Sequence, residues 1–96
     1  MFTNREKEFI ENGYFTIIRR TDRYIEFFSN NTKHQWIVFK NSFCSNKPVT
    51  VYHKHTAETK YYHKHYETKD VKRAVANIKG HDEYVLKENG GKIYGL

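Results

Sequence analysis

The chain predicts a single α+β domain, residues 1-96: a five-stranded antiparallel meander sheet with an N-terminal helix and a C-terminal helix. Three observations carry this. Short aromatic and β-branched runs recur between polar turns, a capping-box pattern opens the chain, and an apolar stripe at helical spacing follows the last run. Ninety-six residues bury only about two-thirds of their unfolded surface, which allows one modest core and no second module.

Thr3 with Glu6 three positions on is the capping box, and Phe9 and Ile10 precede Gly13, which can adopt the left-handed conformation that ends a helix. A short helix is therefore expected over 4–12. Three runs follow at 14–18, 24–28 and 36–39, divided by polar turns at 21–23 and 30–33, and they read as consecutive antiparallel strands. The segment 41–47, closed by Pro48, is a longer loop leading into two more strands at about 49–55 and 61–67. From Asp70 the spacing becomes helical, with Val71, Ala74, Val75 and Ile78 on one stripe and Gly80 as a plausible stop. Residues 80–96 admit two readings, an extra hairpin or an extra helix. Asn89-Gly90-Gly91 between Tyr84-Val85-Leu86 and Ile93-Tyr94 signals a hairpin, while Val85 continues the helical stripe.

The first three strands are apolar on both faces: Phe15 and Ile17 oppose Tyr14 and Ile18, and Trp36 and Val38 oppose Ile37 and Phe39. Two short helices cover one face of such a sheet. The other is left for the C-terminal segment, a partner, or an exposed aromatic surface.

The densest chemistry lies in a tandem repeat. Tyr-His-Lys-His occurs at 52–55 and again at 62–65, placing four of the six histidines within thirteen residues. In an extended strand each His-Lys-His sends two imidazoles to one face and a lysine to the other. With a three-residue turn at 58–60, His55 falls opposite His63 and His53 opposite His65, and four imidazoles share one face as candidate zinc ligands. An even-numbered loop sends the two pairs to opposite faces. Lys54 and Lys64 oppose a dication, no cysteine accompanies the pairs, and Glu58 and Glu67 are the only acidic groups nearby in sequence.

The complementary row favours nucleic acid. Tyr52, Lys54, Tyr62, Lys64 and Tyr66 alternate rings with ammonium groups, and rings stack on bases while lysines hold phosphates, as in sheet-based binders of single strands. Arg19, Arg20 and Arg23 at the first turn, and Lys69, Lys72, Arg73 and Lys79 along the second helix, extend the basic track. The 17 Lys+Arg against 11 Asp+Glu leave a net charge of +6, and protonation of the six histidines doubles it. The expected function is a small basic binding module for single-stranded RNA or DNA, without catalytic residues or a required cofactor. A small protein-binding inhibitor or adaptor of phage or plasmid type, anchored by its 17% aromatic residues, and a His-rich zinc-binding domain are the alternatives.

Paired histidines can also act as general base and acid on an RNA 2′-hydroxyl without a metal. The order helix, Asn12-Gly13-Tyr14, strands and closing helix resembles double-stranded-RNA-binding-like domains and the HicA-type mRNA interferase toxins. Those toxins carry Gly-Ser-His on the second strand, where this chain has Asp22-Arg23-Tyr24, and the extra strand pair departs from their plan, so no activity transfers. No nucleophile motif, Gly-rich phosphate loop or carboxylate pair is present. Cys44 reads as an incidental thiol and His34 as the start of a strand. A lone cysteine, an N-terminus without an apolar leader and the lack of a roughly 20-residue apolar stretch predict a cytoplasmic protein without a membrane span.

Overall fold

A computed structural model of the chain describes residues 2–41 and 46–88. Its elements run α1 (Asn4–Ile10), β1 (Phe15–Arg20), β2 (Tyr24–Ser29), β3 (Gln35–Lys40), β4 (Val49–Lys54), β5 (His63–Thr68) and α2 (Val71–Glu88), and the strands form one antiparallel sheet in the order β1-β2-β3-β4-β5. The expected α+β meander is this fold. Cys44 and the 89–91 hairpin signal lie outside the described residues.

Local chemistry explains the element boundaries. The Thr3 hydroxyl accepts from the Glu6 amide at 3.1 Å while Glu6 accepts from the Thr3 amide at 2.8 Å, satisfying two amides that the first helical turn leaves unpaired. The helix stops at Ile10, and Gly13 takes φ +90°, the left-handed value that turns the chain into β1. The expectation of a stop at Gly80 is overturned. α2 runs through Gly80 to Glu88 because the buried stripe of Val71, Ala74, Val75 and Ile78 continues to Asp82 and Val85, and that burial outweighs the roughly 1 kcal/mol cost of an internal glycine.

Both helices pack on one face of the sheet. Ile25, Phe27, Trp36, Val38, Val49 and Val51 alternate inward along β2, β3 and β4 and form one core with Phe2, Ile10, Val71, Ala74 and Ile78. Trp36 is fully buried, and its indole N–H donates to the Ser29 hydroxyl at 3.0 Å. The other face carries Tyr24, Phe28, Ile37, Phe39 and Tyr52, half-buried among one another and uncovered by either helix.

The β4–β5 hairpin differs from the expected register. Its loop spans 55–62, His53 pairs with His63, Tyr52 with Lys64 and Val51 with Tyr66, so His65 is an extra residue bulged out of β5. The constraint comes from the helix face: Val49, Val51 and His53 must all point inward, and Thr68 is buried opposite Val49, so the surplus residue is absorbed on the free edge strand. The same bulge removes Tyr66 from the expected tyrosine row, since its partner Val51 faces the helices.

Candidate metal centre

All six histidines meet at one end of the molecule. The β2–β3 turn delivers His34, the end of β4 delivers His53 and the residue after it His55, the start of β5 delivers His63 and His65, and α2 crosses the sheet from the far end to bring in His81. His53 is the hub. Its ring centroid lies 5.0 Å from that of His34, 4.8 Å from His55, 5.3 Å from His63, 5.4 Å from His65 and 4.7 Å from His81. Its other side rests on Trp36 at 4.2 Å, which closes the cluster against the apolar core.

Three of the six make the tightest group. One ring nitrogen each of His34, His53 and His81 lie within 4.8 Å of one another, and His34 and His53 are only 4% and 2% exposed. His34 Nδ1 and His53 Nε2 stand 2.9 Å apart, sharing a hydrogen bond that requires one nitrogen to donate and the other to accept. His81 Nδ1 is buried without a hydrogen-bond partner among the described residues, an arrangement that is costly for an imidazole nitrogen with nothing to bind. Two nitrogens on a tetrahedral ion at about 2.0–2.1 Å are separated by about 3.3 Å, which falls inside the observed spread.

The electrostatics keep these ligands neutral. Burial, reinforced by the charges of His55 and His81, lowers the His34 pKa to about 4. Burial lowers that of His53 to about 2, with His81, His34, His55 and His65 adding to the effect. His65 and His81 also titrate below the ordinary imidazole range, each chiefly through burial; a hydrogen bond to Asn77 opposes this at His65, and the Asp82 carboxylate opposes it at His81. A neutral imidazole with its lone pair free is the form that binds a metal.

Asp82 supplies the acidic group that sequence spacing did not reveal. It is fully buried, and its two oxygens accept from the neutral hydroxyls of Tyr14 and Thr32, both at 2.9 Å. Thr32 in turn accepts from the His34 amide at 3.2 Å, so one carboxylate ties α2, the start of β1 and the His34 turn together. Burial, with Asp82 contributing, raises the Tyr14 pKa to about 12, so the phenol stays a donor. A buried carboxylate bonded only to neutral donors favours a cation beside it. The turn itself is fixed by Lys33, the one non-glycine residue at positive φ among those described, at +66°.

Of the residues expected to bind metal, His53 is central, His55, His63 and His65 surround it, and His34 and His81 complete a group that the repeat alone did not predict. The nucleic-acid candidates are dispersed. Tyr62 donates to Glu26 at 2.8 Å and approaches Gln35 at 3.3 Å; burial, with the Glu26 carboxylate adding to it, raises the Tyr62 pKa, and Lys54 sits 4.8 Å over the Tyr62 ring. Lys64 pairs with Glu67 at 3.5 Å, and Tyr66 is exposed on the bulged edge. Arg19, Arg20 and Arg23 gather near the β1–β2 turn, where Arg20 pairs with Glu11 at 2.8 Å; Lys72 and Arg73 lie at the start of α2, where Arg73 pairs with Asp70. These cations occupy the end of the sheet away from the histidines, on opposite edges, and do not continue the hairpin row. No described helix is long and apolar enough to cross a membrane. No family model matches the chain, and neither curated proteins nor solved structures include a significant match.

Proposed function

We propose that this chain is a small metal-binding module that holds a first-row divalent cation of the zinc type through His34, His53 and His81, with His55, His63 and His65 as an outer ring of imidazoles. The observation that carries the reading is the approach of three ring nitrogens, one each from His34, His53 and His81, to within 4.8 Å, brought together from three different elements of the fold. Imidazole sets suit zinc, copper, nickel and cobalt, and Asp82 offsets the charge such an ion brings. Calorimetric titration with zinc at pH 7.5 tests it. With a dissociation constant of about 1 μM, 100 μM zinc stabilises the fold by about 2.7 kcal/mol, a rise in melting temperature of roughly 10–20 °C for a chain of this length. Zinc heat that is absent in the parent, or unchanged in a folded His34→Ala/His81→Ala variant, refutes the reading.

A second reading, binding of single-stranded nucleic acid, draws on the helix-free face: Phe28, Phe39 and Tyr52 remain there with Lys33 and Lys54 in a protein of net charge +6. Salt titration separates it from metal binding. Phosphate contacts give a log–log slope of about −0.7 each on a single strand, so Lys54→Ala/Lys64→Ala should flatten the slope by about one to one and a half. A chelator leaves such binding untouched if the helix-free face alone carries it.

A further inference from the structure

A cavity adjoins the histidine cluster. A space of about 570 Å³ lies between the β2–β3 turn and the β4–β5 loop, and its wall includes His34, His55, Phe28, Lys33 and Glu58. His34 thus belongs both to the ligand triad and to the cavity wall. Three protein ligands leave the fourth position of a tetrahedral ion free, the arrangement by which catalytic zinc sites admit water or substrate.

The lining selects what enters. A cation at the triad and the Lys33 ammonium both attract an anion, and Lys33 lies in the cavity wall with its ammonium 5.5 Å over the Phe28 ring. The Phe28 ring, with Lys33 beside it, adds an apolar surface to the wall, while Glu58 adds a negative charge that disfavours a second carboxylate. Building on the metal-binding reading above, we infer that the cavity binds a small organic monocarboxylate, its carboxylate completing the coordination of the His34–His53–His81 ion beside Lys33 and its apolar body resting on Phe28.

Cobalt(II) in place of zinc tests this, because its visible absorption reports the ligands around the ion. Benzoate should change the cobalt spectrum saturably. Phe28→Ala should weaken benzoate by about tenfold and leave the response to azide, which has no apolar body, unchanged. Lys33→Ala should weaken both anions, and Glu58→Gln should admit phthalate, which the parent excludes. The spectrum of each variant without anion verifies that its metal site is intact. A cobalt spectrum indifferent to benzoate and azide overturns the inference and shows a closed shell, with His55 the nearest candidate for fourth ligand. Response to azide alone overturns the carboxylate assignment. Failure of cobalt and zinc to bind at all overturns the metal reading itself, and with it the inference.

Discussion

Acid should unfold the metal-free protein from a higher pH than carboxylates alone explain. His34 is buried and titrates at about 4 when folded against about 6.5 in an unfolded chain, so between those values the unfolded state binds the extra proton. Stability from such a group is complete above the unfolded pKa and is lost as pH falls through it toward the folded value. From pH 7 to pH 5 this amounts to about 2 kcal/mol for His34, and His53, shifted in the same direction, contributes a similar amount, giving about 4 kcal/mol together. For a domain whose whole stability is of order 5–15 kcal/mol, the loss is large. Glu6 and Asp70, whose carboxyls titrate below their ordinary values, lose their contributions only below about pH 4.5, so the window above pH 5 isolates the histidines. Urea unfolding with chelator present at pH 7, 6, 5.5 and 5 measures the slope. A stability constant within about 0.5 kcal/mol across that range would refute the neutral, buried cluster.

Other substitutions probe the scaffold and the site's support. Trp36→Ala should cost about 3–5 kcal/mol in urea titration, since the ring is fully buried and its N–H bond to Ser29 is lost as well; a cost under about 1 kcal/mol would contradict its central place in the core. Gly80→Ala should stabilise by about 0.5–1 kcal/mol, because the glycine is helical and an added Cβ meets nothing within 4 Å. A loss in thermal unfolding would count against an unbroken α2. Asp82→Asn leaves one of two hydroxyl donors facing an amide N–H, costing about 1–3 kcal/mol, and should lower zinc affinity by about 10–100-fold. Calorimetry showing full zinc affinity in that variant would remove Asp82 from the site.

The parts of the fold governed by local pattern were legible. The capping box, Gly13 and the aromatic, β-branched runs that form β2 and β3 each follow from nearest-neighbour chemistry and appear where expected. The C-terminal helix exceeded its expected end because a glycine is a weak stop when apolar positions continue beyond it. That continuation also hid His81 and Asp82. Both fall on the inward stripe set by Val71, Ala74, Ile78 and Val85, and a histidine and an aspartate at core positions are the signal that sequence reading passed over. His34 was hidden for a different reason: it lies two residues before Trp36 and so shares the inward face by strand alternation, but as the residue just before β3 it reads as a strand start rather than as part of a cluster. In the repeat, histidine number was plain but pairing was not, because a bulge allows an odd and an even register within one hairpin.

Both bulges of the sheet fall in its two outermost strands, at Ile18 in β1 and at His65 in β5. An open antiparallel sheet offers two rows of unpaired amides and carbonyls to any neighbouring chain, and in this meander β1 and β5 do not pair to hide them. A bulge breaks the regular spacing of such a row and increases its twist, and here charged residues flank each one, Arg19 and Arg20 on one border, Lys64 and Glu67 on the other. Strand-by-strand polymerisation is thereby discouraged at both borders, and a chain that is 17% aromatic can remain dispersed without burying its edges in a partner.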